Sequence, residues 1–182
     1  MKRKTAKELL AESFRELARK RPIDAITVRE IAQNGGYSTA TFYRQFKDKY
    51  DLIAWEYARR VSGIMERIGE GYPWRRTLLD GALLFEAERD YLANLLRHTG
   101  GLDSFVRYKT EINYEALKQY ILKTSGMERL DVRLDMIVRH YILGTVNLTC
   151  EWVLGRYGVS PEVLAEIFEQ SLPSALHPYL LK

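Results

Sequence analysis

Between positions 38 and 49 the sequence places Ser38, Thr39, Thr41, Tyr43, Arg44, Gln45 and Lys49. These are hydrogen-bond donors and acceptors with two cations among them, and they suit recognition better than bond-making. Small hydroxyl side chains let a helix approach a groove floor, a guanidinium can bond guanine or phosphate, and a carboxamide can bond adenine. Thr27 and Lys49 each stand where a helix begins, and there backbone N–H groups and the helix dipole attract phosphate. The Tyr43 hydroxyl can rest on a sugar-phosphate backbone. Lys2, Arg3, Lys4 and Lys7 can form a basic arm along a duplex, releasing one counterion for each phosphate neutralised.

Catalytic patterns are missing. The chain has no Walker-type phosphate loop and no His-Glu-x-x-His run. A single cysteine, Cys150, and three widely spaced histidines, His98, His140 and His177, argue against a zinc site or a Cys–His nucleophile. We therefore expect no enzyme activity and no cofactor.

The elements that must position these residues read as helices. Leu9, Leu10, Phe14, Leu17 and Ala18 recur at three- and four-residue intervals and predict a helix over about 4–20. Arg21-Pro22 ends it, because the residue before proline is pushed out of the α region. Thr27 and Glu30 form a capping box for a helix from Val28 to Asn34, closed by Gly35-Gly36. Ser38 caps the next helix, Thr39 to Phe46, with Phe42 and Phe46 facing inward. Two short helices joined by a glycine turn make a helix-turn-helix, whose second helix enters the DNA major groove. A second capping box over Asp48–Asp51 opens a helix to about 68, and Glu70 to Pro73 reads as a loop. Further helices follow at about 74–87, 89–98, 101–124, 128–155 and 161–170, about nine in all.

Charge agrees with this division. Residues 1–49 hold 12 Lys/Arg against 6 Asp/Glu, a net +6, whereas the rest nets −2 within a total of +4. A basic head on a near-neutral body is the footprint of nucleic-acid binding, although a solvated basic face without a partner would look the same. The chain of 182 residues is 46% hydrophobic, enough for a real core. No apolar run approaches a membrane span and no signal peptide is evident, so a cytoplasmic protein without membrane association is expected. The lone cysteine fits a reducing compartment.

The stretch Ala25–Ile53 resembles the DNA-binding head of the TetR family of regulators. Thr27-Val28, Ile31-Ala32, Gly35-Gly36-Tyr37-Ser38, Thr41-Phe42-Tyr43, Phe46, Lys49 and Leu52 each meet a fixed position of the family pattern. The resemblance covers about residues 5–55. It implies an all-α fold: a three-helix DNA-binding domain over 1–49, then a C-terminal bundle over 50–182 for ligand binding and dimerisation. It also implies a homodimer on palindromic double-stranded operator DNA, usually a repressor released by a small-molecule effector. Carried over by position, the DNA contacts are Thr27, Ser38, Thr39, Thr41, Tyr43, Arg44 and Lys49, while Phe42 and Phe46 are core.

The body is less explicit. Its aromatics, among them Tyr57, Trp74, Phe85, Tyr114, Tyr141 and Trp152, read more readily as core than as pocket, and His98 and His140 could line a cavity. Val132, Met136, Val138, Ile142, Val146, Leu148 and Val153 make one helix apolar nearly all round. With Gly144 and with Val163, Leu164, Ile167 and Phe168 of the next helix, it forms the candidate dimer surface. The segment from His140 to Leu154, followed by Ser160-Pro161-Glu162-Val163-Leu164-Ala165, is similar to a TetR subgroup with a short C-terminal half. That subgroup includes a regulator of dihydroxyacetone kinase operons that works with a kinase-like protein partner. The alternative reading is therefore a coactivator or interaction module of the same fold, controlled by a protein partner.

Overall fold

The computed structural model describes residues 4–68, 71–101 and 104–181. Among these residues there are ten α-helices and no strand: α1 (Ala6–Ala18), α2 (Val28–Asn34), α3 (Thr39–Gln45), α4 (Lys49–Met65), α5 (Trp74–Ala87), α6 (Arg89–His98), α7 (Phe105–Ser125), α8 (Val132–Val153), α9 (Pro161–Gln170) and α10 (His177–Leu180). Glu70 of the expected loop, residues 102 and 103 of the helix expected over 101–124, and the Lys2-Arg3 end of the basic arm lie outside the described residues.

The head is α1, α2 and α3. Leu10, Ala11, Phe14 and Ala18 turn the buried face of α1 toward Ile31 and Ala32 of α2 and Phe42 of α3. The Ser13 hydroxyl donates to the Ile31 carbonyl at 2.6 Å, and the Asn34 amide donates to Ser13 at 3.1 Å. A Cβ at Gly35 would lie 3.3 Å from the Ile31 carbonyl oxygen and 3.4 Å from the Ser13 Cβ, so α1 and α2 approach to about van der Waals contact there. Gly36 turns the chain between α2 and α3 at φ 75°, the left-handed region glycine enters without penalty.

Helix α4 leaves the head and becomes the first wall of the body. Its inner face carries Glu56, only 4% exposed, within an ion cluster. Glu56 pairs with Arg60 at 2.8 Å and Arg15 at 3.4 Å, and it accepts the Tyr91 hydroxyl at 2.9 Å. Glu88 pairs with both Arg15 and Arg60. Asn94 of α6 donates to the carbonyls of Ala18 and Arg21 and accepts from the Ile23 amide, gripping the α1–α2 connection from the body side. One apolar core therefore runs from the head through α4 and α6 to Trp152 at the end of α8. A second core lies among α7, α8 and the C-terminal segment.

Several boundaries differ from the sequence reading. Helix α8 begins at Val132 rather than 128, because the Asp131 carboxylate accepts from the Leu134 amide at 2.9 Å and caps it there. Helix α7 begins at Phe105, not 101. The capping box at Asp48 is only half formed. Asp48 caps Tyr50 and Asp51, but the Asp51 carboxylate accepts from the Lys47 amide, one residue before the expected donor. The turn Ser174–Leu176 and α10 were not expected. Leu176 and Leu180 bury there and tie the C-terminal segment to the second core.

Candidate nucleic-acid interface and internal cavity

Helix α3 is held from behind and bare in front. Phe42 is fully buried, and its ring stands edge-on to Tyr43 and 5.7 Å from Phe46, which in turn packs on Trp55. The burial of Phe42 in the head core and the packing of Phe46 on Trp55 fix the rotation of α3, so Ser38, Thr39, Ala40, Tyr43 and Arg44 form an exposed edge. Tyr43 is 60% exposed although tyrosine gains by burial. Ser38 caps the helix by accepting from the Thr41 amide at 3.1 Å. The Thr41 hydroxyl is half-buried between Ser38 at 3.1 Å and the Arg44 guanidinium at 2.9 Å. Gln45 is half-buried too, so Thr41 and Gln45 are less exposed than Ser38, Thr39, Tyr43 and Arg44.

The other expected contacts are more occupied. Thr27 is exposed, but its hydroxyl is engaged with Glu30 in a complete capping box. These bonds, with Arg21 beside them, hold the Glu30 carboxyl down to about 2. Lys49 lies at the first position of α4, yet its ammonium donates to the carbonyls of Ile23, Asp24 and Ile26 at 2.8, 3.2 and 2.9 Å. Its three donors are thus used within the head. Burial lowers its pKa, with Asp24 and Glu30 opposing. In the basic arm, Lys4 pairs with Glu12 at 2.6 Å and Lys7 lies over the rings of Phe46 and Trp55.

The body holds a partly open cavity of about 130 Å³ between α4, α5, α7, α8 and α9. Tyr57, Trp74, Phe85 and Tyr141 line it, so part of the aromatic content is pocket, while Tyr91, Phe105, Tyr114 and Trp152 are core. Neither histidine reaches it. His98 sits 3.4 Å from Asp24, and His140 is exposed on α8. Sequence reasoning missed Lys109 and Thr77, which line the cavity and are 3% and 5% exposed. A lysine four residues after the buried Phe105 and eight before the buried Leu117 stands on the inward face of α7, and that register was the available signal.

The candidate dimer surface divides in two. Val138, Ile142, Val146, Val153, Leu164 and Phe168 are buried within the chain and belong to its own core, which corrects their assignment. Val132 at 78%, Met136 at 66%, Val163 and Ile167 are exposed, Leu148 is half-buried, and nothing lies within 4 Å of a Cβ built on Gly144; Leu143, outside the expected set, is exposed as well.

Among the described residues no helix is long and apolar enough to cross a membrane, and no cluster of His, Cys, Asp and Glu is arranged to hold a metal ion. Residues 5–54 match the family model of bacterial regulatory proteins, tetR family. No curated protein matches the chain by sequence. Among solved structures, the chain is similar to a dihydroxyacetone kinase operon activator, DhaS, at 17% identity and a TM-score of 0.67, covering 96% of this chain and 98% of that one. It is similar to Thermus thermophilus FadR, a TetR-family repressor bound to lauroyl-CoA, at 19% identity and 0.64, covering 91% and 92%. FadR from Bacillus subtilis, bound to stearoyl-CoA, gives 20% and 0.55, covering 93% and 99%. At these identities the likeness is one of fold. Over residues 5–54, then, the chain matches the head of bacterial tetR-family regulatory proteins, and its fold as a whole is that of the TetR-family structures it resembles.

Proposed function

We propose that the protein is a homodimeric repressor that sets α3 of each protomer into the major groove of a palindromic operator and leaves it when a small molecule occupies the body cavity. The observation that carries this reading is the bare edge of α3, where Ser38, Thr39, Tyr43 and Arg44 are exposed on a helix whose back is pinned by buried Phe42. Arg44 would read a guanine or a phosphate and Tyr43 the sugar-phosphate backbone, with Thr41 orienting Arg44. Thr27 and Lys49 would meet phosphate at the starts of α2 and α4 through backbone N–H groups, since their side chains are engaged. The domains would divide at 1–49 and 50–182, with α4 carrying the state of the cavity to the head.

Support for the dimer comes from the exposed apolar residues of α8 and α9, Val132, Met136, Leu143, Val163 and Ile167, whose side chains a partner helix would cover. Support for an effector comes from the cavity, and α4 lines it with Tyr57 and Arg60 while also bearing on the ion cluster that reaches Arg15 of α1.

The test is a fluorescence anisotropy titration against the protein's own upstream DNA at two salt concentrations. Sequence-selective binding that weakens steeply with salt is expected, because phosphate contacts release counterions. Weak binding, equal for any duplex, would sink the operator reading and favour control through a protein partner.

A further inference from the structure

We propose that the body cavity takes a compact organic monoanion, a carboxylate on a small aromatic or branched apolar body, with Lys109 as its counter-ion and Thr77 as a further hydrogen-bond donor. The proposal deepens the effector reading above and rests on the cavity being the effector site.

Lys109 is the first ground. Its ammonium is buried in the wall of the cavity, 4.7 Å from the centre of the Phe85 ring, and has no salt-bridge partner among the described residues. Cavity carboxylates are lacking as well. The other cation there, Arg60, is already held by Glu56 and Glu88. Fully buried lysines are rare unless paired, and a charge left without a partner in an apolar wall is costly. An anion arriving from solution would supply the missing partner and turn that cost into affinity.

Thr77 is the second and independent ground. Threonines on these helices satisfy themselves: Thr110, Thr145 and Thr149 each donate to the carbonyl one turn earlier. Thr77 does not, and its buried hydroxyl has no hydrogen-bond partner. It lines the same cavity. A buried hydroxyl without a partner loses the hydrogen bonds it made to water, which a ligand oxygen would restore.

Size and lining set the body of the ligand. The remaining wall is largely apolar, with Leu78, Phe85, Leu117, Ile142, Val146 and Phe168. A volume of about 130 Å³ is close to the roughly 150 Å³ of an engineered cavity that holds benzene. One ring or a short branched chain fills it.

The experiment measures binding of benzoate and of its uncharged isostere benzamide by calorimetry, without DNA, to the full-length protein and to Lys109→Met and Thr77→Val. The unsubstituted protein is expected to prefer benzoate by about ten- to a hundredfold, the worth of a charge-assisted hydrogen bond. Lys109→Met should erase that preference, and Thr77→Val should weaken benzoate severalfold. If Lys109→Met does not fold, the benzoate-to-benzamide ratio of the unsubstituted protein and the Thr77→Val result carry the test. Equal binding of the two compounds, no benzoate binding, or a preference for decanoate over benzoate would overturn the proposal. Benzoate that binds through Lys109 yet leaves an operator complex intact would support the ligand class and sink the effector-release reading instead.

Discussion

The head and the body handle polar groups in opposite ways. In the head, polar side chains satisfy one another and still face solvent. Thr27 is closed on Glu30, Lys49 on three carbonyls, and Thr41 on Ser38 and Arg44. Each rigidifies a helix end, so the exposed edge of α3 is preset before any partner arrives. In the body, Lys109 is buried against the Phe85 ring with no salt bridge, and the Thr77 hydroxyl has no hydrogen-bond partner, a lack shared among the described buried side chains only by the Arg15 Nε of α1, which still lies 3.4 Å from Glu56. A region whose local choices all agree is built for shape, whereas local rules broken without compensation mark a site awaiting something. The head thus offers a finished surface, and the body an unfinished interior.

The largest expected effect tests whether the finished surface is sufficient alone. Met136→Glu places a charge on the exposed apolar part of α8 and disturbs no buried contact of the chain itself. If two heads must act together, sedimentation should show a monomer, and operator affinity should fall by about 10² to 10⁴, the scale on which linked sites reinforce each other. An unchanged dimer would move the interface elsewhere.

A smaller effect separates presentation from support within the head. Tyr43→Ala removes an exposed ring and should weaken operator binding by about tenfold, the low end for one good contact, with no change in melting temperature. Lys49→Met should do the opposite: it leaves the carbonyls of Ile23, Asp24 and Ile26 without their donor and should cost ~1–3 kcal/mol of stability in denaturant unfolding. Binding lost through Lys49→Met at unchanged stability would make its ammonium a direct phosphate contact after all.

This contrast also governs what was legible in the sequence. The head could be read almost residue by residue, because capping and turn chemistry are local: Thr27 with Glu30, Ser38 ahead of Thr39, and Gly36 at positive φ stand where their spacing puts them. Other features depend on distant neighbours. The partners of Lys49 lie over twenty residues upstream, and nothing local reveals that its ammonium turns inward. Spacing showed the apolar girth of α8 but could not divide it into the half that faces α7 and the half that faces outward. Lys109 was overlooked because the aromatic stripes around it read as ordinary core, and a charge among them counts as a site only once the cavity is seen.

The smallest effect concerns that same lysine with the cavity empty. Burial depresses the Lys109 amine from 10.5 to about 8 in the folded chain. Below pH 8 both folded and unfolded states carry the proton, and the buried charge exerts its full cost. Between about 8 and 10.5 the unfolded chain binds more protons than the folded one, so this group makes stability rise with pH across that window. The neighbouring Cys150 works against it, since burial pushes its thiol up from 9.0, and so does Tyr57, raised above 10.0 by the same cause. The net slope of the unsubstituted protein is therefore a poor guide, and the difference from Lys109→Met is the quantity to measure. Urea unfolding at pH 7 should find Lys109→Met more stable by up to about 3 kcal/mol, at about 1.4 kcal/mol for each unit of depression. That advantage should shrink as the pH is raised toward 10. A substitution that removes a cation, strengthens the fold and abolishes carboxylate binding would mean that the lysine is kept for a ligand and not for the fold.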